Sequence, residues 1–163
     1  TVLDIACGQG YFSREINAKG GKVFASDISK ELIGMARLHS SKEIDFHISP
    51  SDRIDFCKDN SIDKAIIILA LQNIEKLNET IKEIYRVLKP DGRFYIVLNH
   101  PAFRIPKNSS WQWDDKTNKQ YRRIDAYMSD IREEIEMNPG SIRDKKTTTS
   151  FHRPLQVYFK ALF

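Results

Sequence analysis

An α/β domain with a doubly wound, mostly parallel sheet is the fold this sequence predicts, and three observations carry that expectation. Short apolar runs alternate with segments of helical spacing. One of those runs, 65–71, is apolar throughout, as a central parallel strand covered on both faces requires. The first run ends in a Gly8-Gln9-Gly10 turn, and the second ends on an acid, Asp27.

The elements follow in order. Val2, Leu3 and Ile5 form a strand that runs into the glycine turn, and 11–19 reads as a helix with Phe12 and Ile16 on one face, stopped by Gly20 and Gly21. Residues 22–26 form a second strand ending at Asp27. Ser29 caps the next helix, with Ile28 and Ile33 placed to form a hydrophobic staple around the cap. Ile44, Phe46 and Ile48 alternate with polar residues as a third strand, and 62–71 is read as the fourth. Leu77, Ile81, Ile84 and Leu88 fall at helical spacing before Lys89-Pro90-Asp91-Gly92 turns the chain into a fifth strand over 94–98. Beyond Asn99 the rhythm changes. No clean period runs through 101–126, a β-hairpin is expected over about 132–151, and Pro154 is expected in the first turn of a last helix that His152 begins. These shifts divide the chain into a cofactor-binding core (1–99), an inserted substrate cover with a hairpin (100–151) and a helix returning to the core (152–163).

Composition narrows the function classes. The longest purely apolar run is seven residues, far below a bilayer span, and no basic-then-apolar leader precedes the first strand. Cys7 and Cys57 are too few for a disulfide framework, so a cytoplasmic location is expected. The net charge of +4 comes entirely from 101–163, which holds 12 Lys or Arg against 8 Asp or Glu. Without a long basic run, a zinc-finger spacing or a repeat, this bias reads as a solvated surface and disfavours a nucleic-acid partner. No HExxH and no compact His/Cys cluster calls for a metal. Nothing in the sequence specifies an oligomeric state.

In a doubly wound sheet the ligand lies beyond the carboxyl ends of the strands, where Asp4, the Gly8–Gly10 turn and Asp27 fall. Gly8 and Gly10 would let the backbone approach a ligand with no Cβ in the way, and Asp27 would accept hydrogen bonds from two ribose hydroxyls. A pyrophosphate cofactor wants GxGxxG, but Ser13 stands where the third glycine would be, and Asp4 adds negative charge. A sulfonium cofactor carrying an ammonium group is the better electrostatic match.

The order of these motifs resembles class I S-adenosylmethionine-dependent methyltransferases, a Rossmann-like fold, and within them the methyltransferase type 11 branch. Val2-Leu3-Asp4-Ile5-Ala6-Cys7-Gly8-Gln9-Gly10 is similar to the family's first motif; Ser49 to Phe56 to its adenine-side segment, with Pro50 and Asp55 departing from the pattern; Ala70-Leu71-Gln72 to its segment after the fourth strand; and Arg86 to Gly92 to the signature before the fifth. The resemblance implies methyl transfer from S-adenosyl-L-methionine to a small-molecule acceptor, leaving S-adenosyl-L-homocysteine. It implies that Asp4 fixes the methionine amino group, Ala6, Gly8 and Gly10 line the cofactor, Asp27 binds the ribose, Ile28 packs on the adenine, Ser51 and Asp52 contact its edge, and Ala70 and Gln72 face the cofactor or acceptor. It also implies five principal strands in the order 3-2-1-4-5, with the family's last two strands lying outside this sequence.

The acceptor side is less specified. Phe103, Trp111, Trp113, Tyr121 and Tyr127 would wall an apolar or aromatic acceptor, while Arg104, Arg122, Arg123 and Arg153 would take an anionic group. His152 and His100 are the rival bases, and His39 and His47 are expected to be structural. Phe151-His152-Arg153-Pro154 resembles a His-Arg-Pro segment of the family. Three alternatives stay open: an RNA methyltransferase, a non-catalytic S-adenosylmethionine-binding protein, and a nicotinamide-dependent oxidoreductase that the missing third glycine disfavours.

Overall fold

The computed structural model describes residues 1–105, 107–136 and 147–163. They fall into two compact units, the first comprising 1–71 and 76–97, the second 72–75 and 98–163.

The first unit is an α/β sheet. In chain order it contains β1 (Val2–Ile5), α1 (Tyr11–Ala18), β2 (Val23–Asp27), α2 (Lys30–Leu38), β3 (Asp45–Ile48), β4 (Ile62–Ile68), α3 (Leu77–Val87) and β5 (Leu88–Val97). All five strands are parallel in the order β3-β2-β1-β4-β5, as expected. Leu3, Ile5, Ala25, Ala65 and Ile67 are fully buried in it, which is why these strands read as near-continuous apolar runs. On one face Ile33 and Ala36 of α2 pack with Val23, Ala25, Ile44 and Phe46.

Three local expectations are corrected. The fourth strand ends at Ile68 rather than 71, because Leu69 takes a left-handed φ of 54° and 71–73 closes as a single 3₁₀ turn. Lys89 to Gly92 does not separate α3 from the next strand. Leu88 already pairs with Ile62, and the register then jumps so that Lys64 pairs with Arg93. The four-residue segment leaves the ladder as a bulge within β5. Ser29 does cap α2, its hydroxyl accepting from Leu32 N at 3.2 Å, but Ile28 is 75% exposed beside a fully buried Ile33, so no staple forms.

A charged cluster fixes the loop that carries Ser51 and Asp52. Arg86 of α3 donates to the carbonyls of Ile54 and Cys57 and to the carboxylates of Glu83 and Asp59, and Glu83 in turn accepts from Ile54 N. The two carboxylates raise the Arg86 guanidinium well above its usual range, and Arg86 holds Glu83 below its own. Because one side chain here ties the backbone at two points, Arg86→Ala is expected to lower stability by about 2–4 kcal/mol. Denaturant titration checks it, and Arg86→Lys, which cannot reproduce the fork, should recover less than half of the loss.

The second unit holds two ribbons and a helix. β6 (Ser109–Asp114) and β7 (Lys119–Ile124) form an antiparallel hairpin that the sequence reading left as aperiodic. β8 (Ile131–Glu136) pairs with β9 (Thr147–His152) where a hairpin was expected, the connecting 137–146 lying outside the described residues. His152 closes β9 opposite Ile131 instead of beginning the last helix, α4 (Leu155–Leu162). The reason is Pro154, which keeps Arg153 out of helical backbone and itself sits extended at the cap, one position before the first turn.

Candidate functional site

The carboxyl edge of β1 and β2 is built from three left-handed residues and two acids. Ala6, Gly8 and Gly10 have φ of 56°, 56° and 75°, so the chain doubles back tightly, with Gly10 N donating to Cys7 O at 2.9 Å. The two glycines serve different ends. A Cβ on Gly10 would lie 2.9 Å from the ring of Phe46 and 3.2 Å from Ala36, so this glycine lets α1 and the turn pack on the sheet. A Cβ on Gly8 would meet nothing within 4 Å, so this half-buried glycine leaves open space beside its backbone. The sequence reading gave both a ligand role; the open space is at Gly8.

Asp27 organises this turn. One carboxylate oxygen accepts from Gly8 N at 2.8 Å and the other from Ser29 N at 2.9 Å. A carboxylate offers about four acceptor sites, so two remain for outside donors. Asp4 lies deeper, 3% exposed, and takes a hydrogen bond from the Ser13 hydroxyl. Ser13 is itself fully buried and occupies the position of a third glycine. Burial, with the nearby Asp27 charge adding to it and Ser13 opposing it, raises the Asp4 carboxyl to about 6. Desolvation likewise pushes the Cys7 thiol up, so it is no nucleophile at neutral pH.

Around the edge, Ile28 projects into solvent, available to a flat ligand. The Ser51 hydroxyl meets that of buried Thr80 at 2.9 Å, and Asp52 pairs with Lys76 at 2.7 Å, which lowers its carboxyl. Ala70 follows left-handed Leu69 at the end of β4 and is half-buried. His39 Nδ1 meets the Met35 carbonyl, and His47 stacks on Phe56 with ring centroids 3.9 Å apart. Ser13 and Thr80 went unrecognised in the sequence, where a lone hydroxyl on a helix carries no signal until its partner is known.

In the second unit, Gln72, Asn99, Arg104, His152, Arg153 and Tyr158 line a cleft. Arg153 donates to the carbonyls of Ile74 at 3.0 Å and Glu75 at 2.6 Å, so its fork ties the 72–75 segment to the β9–α4 junction. Arg132 reinforces it through Glu75 at 3.2 Å. The expected aromatic wall does not come together as one surface. Trp111 and Trp113 share a face of the first hairpin and are 61% and 55% exposed, with Arg122 stacked on Trp111 at 5.4 Å. Tyr121 pairs with Gln112 and therefore lies on the opposite face. Arg122 also donates to the carbonyl of Phe103, joining that exposed ring's turn to the Trp face. Among the described residues no cluster of three His, Cys, Asp or Glu side chains is arranged to hold a metal ion.

A left-handed glycine turn with open space beside it, an acid with acceptor sites to spare and a second buried acid fit a cationic nucleoside cofactor. The profile of the methyltransferase domain family matches residues 3–96. The chain belongs to that family. It is 30% identical over 98 residues to the ubiquinone biosynthesis O-methyltransferase of Xanthomonas oryzae, covering 58% of this chain and 41% of that one. It is 35% identical over 119 residues to the malonyl-[acyl-carrier protein] O-methyltransferase of Buchnera aphidicola, covering 69% of this chain and 47% of that one. The chain thus spans less than half the length of these relatives. An S-adenosylmethionine-dependent methyltransferase of Mesorhizobium loti superposes with a TM-score of 0.80 at 23% identity, covering 99% of this chain and 71% of that structure, a likeness of fold.

Proposed function

We propose that this methyltransferase-family chain binds S-adenosylmethionine at the β1–β2 edge and transfers its methyl group to a small-molecule acceptor. The observation that carries the reading is the Asp27 carboxylate, which shapes the open Gly8 turn with two of its acceptor sites and keeps two for a ribose. Asp4 holds the methionine ammonium, Gly8 and Ala6 line the methionine part, Ile28 packs on the adenine and the Ser51–Asp52 loop, pinned by Arg86, meets its edge. The cofactor supplies a methyl group on a positively charged sulfur. The protein's task is to align the acceptor with it and exclude water.

On the acceptor side, the cleft of Gln72, Arg104 and His152 receives the reacting group, with Phe103, Trp111 and Trp113 covering apolar parts of the molecule. Similarity to an O-methyltransferase of ubiquinone biosynthesis and to a malonyl-[acyl-carrier protein] O-methyltransferase supports an acceptor of that kind over RNA. Two free cysteines accord with a cytoplasmic setting. The test is a screen of a metabolite extract with S-adenosylmethionine carrying a labelled methyl group. Label should enter small molecules, and label confined to added RNA would replace this reading with the RNA one.

The raised Asp4 carboxyl gives this reading a pH signature. A buried acid whose pKa lies above its unfolded value of 3.8 keeps its proton in the folded chain up to about 6. The free protein therefore loses stability as pH rises from about 4 to 6 and holds level above. An ammonium ligand selects the ionised form, so cofactor affinity should rise through that window, by up to about tenfold per pH unit below 6, and then level off. Calorimetry between pH 5 and 8 checks it. Asp4→Asn should flatten the profile while leaving the free protein at least as stable at pH 7.

A further inference from the structure

Asp4 is a buried acid whose hydrogen-bond partner stands on the next element. Gly10 has no Cβ and lets α1 settle against the sheet, which brings Ser13, in the first turn of that helix, within reach of Asp4 on β1. Ser13 is fully buried, Asp4 is 3% exposed, and the Ser13 hydroxyl donates to Oδ2 of Asp4 at 2.5 Å. A separation of that size belongs to a hydroxyl donating to a charged carboxylate. In a pyrophosphate-binding turn the same helix position is a glycine and serves close packing alone. Here the close approach is kept, and the residue at that position brings a donor to the acid.

A carboxylate taken out of water keeps its proton unless other donors replace the lost solvation. Burial is the largest influence on Asp4, and the charge of Asp27, at the end of β2, works in the same direction. The Ser13 hydroxyl and the Ser13 main-chain amide oppose them. Amides in the first turn of a helix have no carbonyl of their own helix to bond, so this second donor is supplied without breaking a helix bond. The remaining neighbours give no such help. Asp4 is in register with Ala25 and Ile66, both uncharged, and the Cys7 thiol of the adjoining turn is held protonated by burial and by the two acids.

Resting on the methyl-transfer reading above, we infer that Ser13 is the positioning residue of the ammonium subsite: its two donors fix the Asp4 carboxylate and let it stand charged where it is buried, so that the ammonium group of the cofactor meets a formed anion. With Asp4 ionised, the Ser13 hydroxyl donates to it. With Asp4 protonated, the hydroxyl oxygen accepts from the acid instead, so one side chain serves both states. An ammonium ligand selects the ionised state, and the proton released from Asp4 passes to solvent. Ser13 acts through Asp4 and touches neither the methyl group nor the acceptor.

Three measurements test this, two of them on the free protein. Titration of the carboxyl ¹³C signals should give Asp4 a midpoint of about 6 in the parent protein, and Ser13→Ala should move it up by about one unit. Because the folded value lies above the unfolded one, stability is lost as pH rises toward it. Denaturant titration should therefore show the decline continuing to about pH 7 in Ser13→Ala instead of levelling near 6. S-adenosylhomocysteine carries the same ammonium group, and by calorimetry it should bind Ser13→Ala about fivefold more weakly than the parent at pH 6 and within about twofold of it at pH 8.5. In an Asp4→Asn background the further change Ser13→Ala should alter affinity by less than about twofold. An Asp4 midpoint unmoved in Ser13→Ala, an equal loss of affinity at the two pH values, or a clear further loss in the Asp4→Asn background would overturn the inference. So would a midpoint above about 8 in the parent protein, which needs no variant to fold and would leave no anion for an ammonium group at neutral pH. Failure of the folded parent protein to bind S-adenosylhomocysteine would instead remove the methyl-transfer reading, while the two Asp4 midpoints would still decide the link to Ser13.

Discussion

Gly10→Ala is expected to destabilise the protein by roughly 2–5 kcal/mol, whereas Gly8→Ala should cost only about 1–2 kcal/mol and yet abolish cofactor binding. Both glycines have left-handed backbone, which penalises any Cβ by itself. At Gly10 the new methyl would also enter the buried ring of Phe46 at 2.9 Å, with Ala36 behind it, and neither neighbour can retreat without opening the α2–β3 packing. At Gly8 the methyl would meet no protein atom and would fill the space where a ligand must pass. Thermal unfolding separates the pair, at roughly 2–4 °C per kcal/mol for a chain of this size. Calorimetry on the folded Gly8 variant supplies the second half. A Gly8→Ala protein that binds S-adenosylmethionine normally would show that the open turn is not the cofactor cradle.

Asp27→Ala should weaken S-adenosylmethionine binding by about 1.5–3 kcal/mol, about 10- to 150-fold, through loss of a charged acceptor to the ribose. Its carboxylate also receives Gly8 N and Ser29 N, so the alanine variant should lose some stability as well. Asp27→Asn separates the two effects. The amide oxygen can still accept from one backbone N–H, but the charge and one of the acceptor oxygens are gone. Stability should then return most of the way while affinity stays low. Equal recovery of both would mean that Asp27 acts only by shaping the turn.

How much of this was legible in the sequence depended on whether a residue's partner was local. The parallel sheet was readable because its inner strands bury Leu3, Ile5, Val23, Ala25, Ala65 and Ile67 and so carry short apolar runs, and Asp27 was readable because a strand end, a glycine turn and an acid stand at fixed spacing. The end of β4 was not. Leu69 and Ala70 continue the apolar run of Ile66 to Ile68, and nothing in their composition announces that Leu69 turns left-handed. The β6–β7 hairpin escaped for the opposite reason. Trp111 and Trp113 do alternate with polar residues, but their face is exposed and is matched across the ribbon by Arg122 and Gln120 rather than by apolar residues. Ser13 and Tyr127 contribute through partners 9 and 25 residues away, a buried carboxylate and a histidine ring. Distances of that kind are set by the fold and leave no local pattern. Ile28 was assigned both a staple and a ligand contact, and its exposure removes the first while leaving the second open.

The most direct test of the central claim is calorimetric titration of the protein with S-adenosylmethionine and S-adenosylhomocysteine at pH 7.5, with a nicotinamide dinucleotide as the competing cofactor class. The predicted result is saturable binding of one molecule of either sulfur nucleoside, sharply weakened in Asp27→Ala, and no heat from the dinucleotide. Binding of the dinucleotide, or no binding of either sulfur nucleoside to a folded protein, would contradict it.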